Sequence, residues 1–402
     1  MTRISYAASL ALSAAVLASL TLPVEAATYS TLYNFQHLCC GNPDGRLLLR
    51  SGSLFGTGQG GVGGYHGQVF KLTPSGGSWK EKTLFRFDGT DGSNPYAGLI
   101  QDSTGALYGT TGVGGAYGNG TVFKLAKSGG VWTETVLWSF GSGSDGQEPS
   151  CDLVRDSSTG TLYGTTYSGG VYGLGTVFDL TYSGGVWTEN VLHSFGSIGG
   201  DGINPEAGLH RDTAGALYGT TEEGGTHGVG TVFELALSDG VWTETVLWNF
   251  GSIGGDGQGP EGELVEGSKG VFYGTTLDGG VYGLGTVFKL AKSGGVWTDT
   301  VLWNFEGGGS RDGAYPFAGL HLDSTGNLYG TTYSGGDYGY GTVFELTYSG
   351  GWIETVFHSF GGSGDGQSPG LGTVIEDSAG NVYGTAYVGG TYGYGTVWEV
   401  TP

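Results

Sequence analysis

The sequence predicts an all-β fold, a seven-bladed β-propeller of four-stranded blades, from three observations. A unit of about 55 residues, clearest in LYGTTYSGGVYGLGTVFDL at Leu162–Leu180, recurs seven times, and this period is close to that of known blade repeats. Each unit contains four apolar runs rich in Val, Thr, Tyr, Trp and Phe, which favour strands. No segment carries a helical period.

The glycine that opens each G-x-V-F motif shows how regular the repeat is. It stands at Gly67, Gly120, Gly175, Gly230, Gly285, Gly341 and Gly395. Glycine accounts for 87 of the 402 residues, a content that would indicate disorder if it were aperiodic. Because the glycines are periodic, and because 10 Trp, 24 Tyr and 18 Phe can build a core, the composition indicates a folded repeat array.

The second unit illustrates the order of the elements. Its apolar runs are Ala97–Gln101, Ala106–Thr111, Thr121–Ala126 and Val131–Phe140. The first two runs and the last two are joined by short, turn-rich links that are typical of β-hairpins. In a four-stranded blade these hairpins lie on one face of the ring, the hairpin face. The linkers between blades and the long loops between second and third strands lie on the other, the loop face.

The same pattern places every blade and predicts how the ring closes. The blades are expected at Asp44–Phe87, Pro95–Phe140, Pro149–Phe195, Pro205–Phe250, Pro260–Phe305, Pro316–Phe360 and Pro369–Pro402. The last blade ends after its third strand, whereas Tyr29–Phe35 reads as a lone outer strand. We therefore expect the N-terminal strand to complete the seventh blade and to remove its exposed edge.

The repeat also resembles a known family. The stretch GLHLDSTGNLYGTTYSGGDYGYGTVF at Gly319–Phe344 is similar to the GloVer tandem repeat of bacterial extracellular proteins, and the likeness extends over essentially all of the mature chain. Family members are described with a choice of C-terminal anchors, and none follows the last strand here, so a released protein is expected. The resemblance implies no established activity and carries over no catalytic residues.

The N-terminus predicts export. Arg3, the apolar stretch Ala7–Leu22 and the small-x-small sequence at Val24–Ala26 are typical of a signal peptide at residues 1–26. Residues 27–402 would then form one propeller domain, secreted to the periplasm or the medium, with no membrane span. Of the three cysteines, Cys151 is expected to pair with Cys39 or Cys40, and a vicinal bridge is the alternative.

The charge excludes some partners. With 15 basic and 37 acidic residues the formal net charge is −22, which repels nucleic acids and anionic membranes. We expect a monomer with a glycan or protein ligand. No cofactor is predicted, and Ca²⁺ is the alternative.

That alternative rests on an Asp-Gly before each innermost strand. The aspartates are Asp44, Asp91, Asp145, Asp201, Asp256, Asp312 and Asp365. Carboxylates gathered near one axis are suitable ligands for Ca²⁺. Turn formation, in which each aspartate accepts local backbone N–H groups, explains every copy equally well and is the preferred interpretation.

A second repeated set consists of aromatic residues in the long loops. Its members are Tyr65, Tyr117, Tyr172, His227, Tyr282, Tyr338 and Tyr392. Glycine-flanked tyrosines can stack on sugar rings. Packing against the neighbouring blade is the preferred interpretation, because the tyrosine recurs in most blades, and it is also the expected role of His193 and His358, which stand in the slot of Trp138, Trp248 and Trp303.

The clearest break in the repeat lies in the fourth blade. Here Glu222, Glu223 and His227 replace the usual TYSGGVYG residues, and two carboxylates with a histidine are candidate catalytic or metal-binding groups. Drift in an exposed loop, where sequence varies freely, is the preferred interpretation. The preferred function is a non-enzymatic binding or scaffold protein that recognises ligands on its loop face. The alternative is a secreted glycoside hydrolase or polysaccharide lyase with its site at the channel mouth.

Overall fold

The computed structural model describes residues 27–36, 41–60, 64–268, 270–308 and 311–402. They form seven antiparallel four-stranded blades arranged in a ring, which confirms the all-β, seven-bladed β-propeller. The described residues contain no helix, and hence none that is long and apolar enough to cross a membrane. The predicted signal peptide and the pair Cys39 and Cys40 lie outside the described residues.

The four strand positions repeat from blade to blade. The innermost strands are Leu48–Arg50, Ile100–Gln101, Val154–Arg155, His210–Arg211, Val265–Glu266, His321–Leu322 and Ile375–Glu376. The second strands are Ser53–Gly58, Leu107–Thr111, Leu162–Thr166, Leu217–Thr221, Val271–Thr276, Leu328–Thr332 and Val382–Gly389. The third strands are Gln68–Ser75, Thr121–Ser128, Thr176–Ser183, Thr231–Ser238, Thr286–Ser293, Thr342–Tyr348 and Thr396–Thr401. The outer strands are Ser78–Arg86, Val131–Ser139, Val186–Ser194, Val241–Asn249, Val296–Asn304, Trp352–Ser359 and, for the seventh blade, Thr28–Asn34.

Short ribbons on the loop face join the blade linkers to the long loops. The paired segments are Gly146–Gln147 with Ser168–Gly169, Gly202–Ile203 with Glu223–Gly224, Gly257–Gln258 with Asp278–Gly279, and Gly313–Ala314 with Ser334–Gly335. In the seventh blade, Gly366–Pro369 pairs with the second strand instead. The sequence did not predict these ribbons, which hold each long loop against the linker that precedes it.

The Leu-Tyr-Gly-Thr-Thr motif of the second strand is explained by packing inside the blade. A Cβ atom on Gly109 would lie 2.8 Å from the ring of Phe123 on the third strand. The next residue, Thr110, donates its hydroxyl to the carbonyl of Cys151 in the following blade at 3.1 Å. Thr111 then pairs with Thr121 at 2.9 Å. In this motif the glycine therefore leaves space for an aromatic ring of the core, the first threonine bonds to the next blade, and the second threonine links two strands of the same blade.

A ladder of aromatic rings seals the seams between blades. The last aromatic residue of each outer strand contacts an aromatic residue on the third strand of the next blade, with ring centroids 5.0–5.6 Å apart. The pairs are Phe35–Phe70, Phe87–Phe123, Phe140–Phe178, Phe195–Phe233, Phe250–Phe288, Phe305–Phe344 and Phe360–Trp398. Edge-to-face contacts of this kind stabilise beyond the apolar area that they bury.

Ring closure follows the sequence prediction. Thr28–Asn34 pairs antiparallel with Thr396–Thr401, so the first strand is the outer strand of the last blade. The closure is completed by Phe35, which is 1% exposed and packs on Phe70 of the first blade. The innermost strands are shorter than predicted, since only Ile100–Gln101 of the run Ala97–Gln101 is in strand. The residues before them line the axis instead.

Candidate functional site

Three charged residues cross the axis of the propeller. They share one position in the repeat, two residues before the innermost strand, where a buried leucine or valine separates this residue from the strand. Blades two, four and six have glycine there, and the seventh has threonine. In blades one, three and five the position holds Arg46, Asp152 and Glu263, which we call the axial triad. Arg46 Nε lies 2.9 Å from Asp152 Oδ2, and Arg46 Nη1 lies 3.4 Å from Glu263 Oε2. The charge of Glu263 is the main cause that raises the pKa of Arg46.

The axial triad stands between two cavities of unequal size. On the hairpin face lies a vestibule of about 920 Å³, which is within the range of small-molecule sites. On the loop face lies a pocket of about 60 Å³, which is too small for a sugar ring. Arg46 and Glu263 line both cavities. The wider mouth of the channel is therefore on the face that the sequence assigned to simple hairpins.

Two imidazole–carboxylate pairs line the vestibule. His210 Nε2 lies 3.1 Å from Glu266 Oε2, and His321 Nε2 lies 2.9 Å from Glu376 Oε2. Each pair joins the innermost strands of two neighbouring blades. Arg50 and Arg155 also line the vestibule, and neither forms an ion pair with a carboxylate among the described residues.

Sequence reasoning did not identify the residues of the vestibule as a site. The signal was present, because histidine replaces the aliphatic residue that most blades carry at that position of the innermost strand.

A cluster of three glutamates stands at the mouth of the channel on the loop face. Carboxylate oxygens of Glu206, Glu222 and Glu261 lie within 4.8 Å of one another. Burial, followed by the charge of Glu222, raises the pKa of Glu206 to about 7. Burial and then the charges of Glu206 and Glu222 raise the pKa of Glu261 to about 9. At neutral pH this cluster therefore holds protons, and its geometry is one that a cation could occupy.

The sequence identified one member of this cluster and missed two. Glu222 bonds to Tyr167, and the charge of Glu222 contributes, after burial, to raising the pKa of that phenol to about 12. Glu206 and Glu261 follow the prolines that begin blades four and five. The corresponding residues elsewhere are Asp44, Tyr96, Ser150, Phe317 and Gly370. The two glutamates were thus visible as departures from the repeat.

The structure separates the other two candidate catalytic residues from this cluster. Glu223 is exposed and pairs with Ile203 in a loop-face ribbon. His227 is exposed and lies beside Gly251, just after the outer strand of its blade. Neighbouring residues on an extended chain point to opposite sides, which explains the divergence of Glu222 and Glu223. The structure therefore brings Glu222 together with Glu206 and Glu261, and not with His227.

The repeated tyrosines form an exposed rim on the loop face. We define the tyrosine rim as Tyr65, Tyr117, Tyr172, Tyr282, Tyr338 and Tyr392, with exposed fractions of 48–58%. Tyr117, Tyr172 and Tyr338 each stand beside the glycine that follows the outer strand, the same place that His227 takes in the fourth blade. Tyr282 donates its hydroxyl to Glu306 Oε1 at 2.7 Å. The rings are not buried in the seams.

The repeated aspartates lie one to each seam and cap the linkers. Asp145 accepts the N–H of Gly141 at 3.0 Å, and Asp256 accepts that of Ser252 at 3.2 Å. Corresponding backbone bonds are made by Asp91, Asp201, Asp312 and Asp365. Asp44 lies elsewhere, at the Tyr96 position, where it accepts bonds from Gln59 and from the N–H of Leu371. The other six aspartates each accept a local backbone N–H, as turn formation requires, whereas Asp44 bonds to distant parts of the chain.

Five of these aspartates face a second acid from the outer strand of the next blade. We call the pairs the seam acid pairs. They are Asp91–Glu134, Asp145–Glu189, Asp201–Glu244, Asp256–Asp299 and Asp312–Glu354. Burial, and then the facing aspartate, raises the pKa of Glu134, Glu189, Glu244 and Asp299 to about 7 and that of Glu354 to about 9. In the seventh blade Tyr29 takes the place of the second acid, next to Asp365.

Cys151 is buried and forms no disulfide with any residue that the structure describes. Its Sγ contacts the backbone of Thr165 at 3.1 and 3.3 Å, and burial raises its pKa to about 11. The bridge predicted from Cys151 to Cys39 or Cys40 involves residues outside the described part of the chain. The thiol occupies the slot of Ala97, Ala207 and Ala318 at the inner seam.

Comparison with protein families identifies the repeat. A family model described as the Gloeobacter/Verrucomicrobia repeat matches residues 18–209, 81–268 and 266–402. Together these matches extend over nearly the whole chain, and they confirm the resemblance found in the sequence. No curated protein matches the chain.

Solved structures with similar folds include enzymes of different classes. A polysaccharide lyase of family PL25, an ulvan lyase, is 10% identical with a TM-score of 0.56, and the match covers 92% of this chain and 95% of the lyase. A puromycin-hydrolyzing peptidase from Mycobacterium tuberculosis is also 10% identical with a TM-score of 0.55. That match covers 87% of this chain, which spans half of the peptidase. At such identities the likeness shows the propeller fold alone.

Proposed function

The chain belongs to the Gloeobacter/Verrucomicrobia repeat family, and from the face that its repeat builds we propose that it is a secreted, multivalent glycan-binding protein. One observation carries this proposal, the tyrosine rim. Six rings at equivalent positions are about half exposed on one face, although exposed aromatic surface is usually kept small unless it binds something. Glycines beside each tyrosine leave the ring faces accessible to the apolar face of a sugar.

The arrangement favours weak sites that act together. Each tyrosine offers a shallow contact, and six equivalent contacts raise the avidity for a repetitive polymer without any new interaction. The net charge of −22 disfavours acidic polymers and favours neutral glycans. A ligand outside the cell agrees with the export expected from residues 1–26.

The test measures binding to neutral polysaccharides before and after removal of the rings. Single and combined Tyr117→Ala, Tyr172→Ala, Tyr282→Ala, Tyr338→Ala and Tyr392→Ala variants are compared on a glycan array and by calorimetry. Matched controls are Tyr182→Ala and Tyr348→Ala, whose side chains are 62% and 66% exposed but belong to the hairpin face. We expect stepwise loss in the rim variants and none in the controls. Equal binding by all variants, or no glycan binding at all, would contradict the proposal.

The vestibule favours a second candidate function, a carbohydrate-active enzyme. The cavity of about 920 Å³ is asymmetric and contains the pairs His210–Glu266 and His321–Glu376. An imidazole held by a carboxylate is a suitable general base or acid. Arg50 and Arg155 could orient a sugar carboxylate. Similarity of fold to an ulvan lyase makes polysaccharide cleavage by elimination the reaction class to test first.

This second candidate is tested by turnover rather than by binding. Purified protein is incubated with acidic and neutral polysaccharides, and new reducing ends and unsaturated uronate are measured. The decisive variants are His210→Ala and His321→Ala on the hairpin face, with Glu222→Gln as the matched variant on the loop face. Activity lost only in the histidine variants supports a vestibule site. Activity lost only in Glu222→Gln would place the site at the glutamate cluster. Absence of activity on every polymer would contradict the enzyme hypothesis and leave glycan binding as the proposed function.

A further inference from the structure

The seam between the third and fourth blades has a histidine where three other seams have a tryptophan. His193 on the outer strand of the third blade takes the slot that holds Trp138, Trp248 or Trp303 in other blades. It stands beside the seam acid pair of Asp201 and Glu244. One ligand atom from each of the three side chains lies within 4.8 Å of the other two. The repeat therefore brings an imidazole and two carboxylates together at this seam.

Both carboxylates have a buried oxygen without a hydrogen-bond partner among the described residues. Asp201 is 4% exposed, and its Oδ2 accepts bonds from the N–H of Ser197 at 3.0 Å and from His193 at 3.3 Å. Among the described residues its Oδ1 has no hydrogen-bond partner, and neither has Glu244 Oε1, although the corresponding oxygens of Glu134 and Glu189 are unpaired as well. Buried carboxylate oxygens are costly unless a donor or a cation satisfies them. The unpaired Oδ1 of Asp201 has no counterpart among the other repeated aspartates that the structure describes, so it distinguishes this seam.

We propose that His193, Asp201 and Glu244 form a Zn²⁺ site that joins the third blade to the fourth. Zinc accepts imidazole nitrogen and carboxylate oxygen at about 2.0–2.2 Å, so the ligand atoms would move together by about 1 Å. Calcium is less suitable, because it takes six or more oxygen ligands. The histidine ring is held in place by an edge-to-face contact with Phe195, with centroids 4.8 Å apart.

The neighbouring seams explain why the site is specific. Where the slot holds tryptophan, as at Trp138, the indole Nε1 donates to Asp145 at 3.3 Å and has no lone pair for a metal. At the seam of His358 and Asp365, the second acid is replaced by Tyr29, which stacks on His358 at 3.6 Å. The fold thus supplies its own control sites, each of which lacks one ligand.

Binding should depend on pH because protons compete with the metal. Zinc binds the deprotonated imidazole and carboxylates, so the affinity is expected to rise with pH and the uptake of metal to release protons.

The experiment titrates Zn²⁺ into the full chain after removal of bound metals with a chelator. Calorimetry at pH 7.5 and the absorption spectrum of the Co²⁺ form are recorded for the native protein, for His193→Trp and for Glu244→Gln. The histidine variant introduces the residue that other blades carry, so the packing of the seam is retained. Glu189→Gln at the seam of Trp138 is the matched control.

We expect one equivalent of Zn²⁺, an increase in unfolding temperature on binding, and a loss of affinity of about 100-fold or more in both site variants. The Co²⁺ spectrum should disappear with them and persist in Glu189→Gln. If His193→Trp fails to fold, the Co²⁺ spectrum of Glu244→Gln decides. Absence of Zn²⁺ binding would overturn the proposal. Binding that both site variants retain would also overturn it, because the metal would then occupy another site, such as the cluster of Glu206, Glu222 and Glu261.

Discussion

Arg46 Nε in the first blade lies 2.9 Å from Asp152 Oδ2 in the third blade, and this ion pair spans the axis of the propeller. Asp152 also accepts the N–H of Gly98 in the second blade at 2.5 Å. With Glu263 the pair joins blades that share no strand. The axial triad is therefore a cross-brace between blades that are not neighbours in the ring.

Removal of the cation from the axial triad should destabilise the ring. Arg46→Met leaves two carboxylates facing each other in a narrow channel. We expect the free energy of unfolding to fall by about 2–3 kcal/mol. This is less than for a fully buried ion pair, because the triad is partly exposed to solvent. The triple variant Arg46→Gly, Asp152→Gly, Glu263→Gly places glycine in all three blades. It should recover most of that loss in urea denaturation. Equal stability of Arg46→Met and the native protein would refute the brace.

The seam acid pairs predict that the protein is more stable in mild acid than in weak base. The usual pKa of a glutamate is 4.5, and burial raises that of Glu134, Glu189 and Glu244 to about 7 in the folded chain. Between these values the folded state binds more protons than the unfolded state, so the stability that these pairs contribute is fully present below about pH 4.5 and is lost as the pH rises through about 7.

This prediction is measured as the unfolding temperature from pH 4.5 to pH 8.5. We expect a fall of several degrees. Glu134→Gln, Glu189→Gln and Glu244→Gln mimic the protonated side chain and should together flatten the profile. Glu223→Gln, an exposed residue of the loop face, is the control. A profile that rises with pH in the native protein would show that the pairs do not hold protons.

Ring closure should depend on one side chain of the first strand. Phe35→Ala removes an edge-to-face contact with Phe70 and a fully buried ring, and truncations of this kind cost about 3–5 kcal/mol. Phe195→Ala removes the equivalent contact with Phe233 at an interior seam. Both variants should unfold at lower urea concentrations. Limited proteolysis should release residues 27–36 first in Phe35→Ala only, because only that variant loosens the terminal strand. Release of the N-terminus in both variants would contradict this model of closure.

The fourth blade offers a gain-of-function test of the tyrosine rim. His227 takes the place of tyrosine beside Gly251. His227→Tyr should add a seventh aromatic contact and raise the avidity for a glycan polymer several-fold, since each added contact acts on an already bound chain. His227→Ala serves as the control and should bind like the native protein. A decrease in His227→Tyr would indicate that the histidine itself contacts the ligand.

The residues that the sequence identified and those that it missed differ in a physical way. The tyrosines, the aspartates and Glu222 stood out because they lie in turns and loops with a local signature. Glu206, Glu261, Asp152 and Glu263 lie just before innermost strands, where a single substitution leaves the strand pattern unchanged. Their partners come from other blades, so no local pattern connects them. Comparison of the seven copies, position by position, would have revealed each as a departure from the repeat.

The sequence by itself determined the seven blades, their four strands and the closure of the ring by Thr28–Asn34, because hydrophobic period, turn chemistry and repetition are local properties of the chain. Only the tertiary structure decided which of the residues that differ from the repeat come into contact with one another. Closing the ring brought Arg46, Asp152 and Glu263 to one axis, gathered the glutamates at one mouth and placed His193 against the acids of the next blade. Side-chain distances between blades depend on how the ring closes, and that geometry is not encoded in any single repeat.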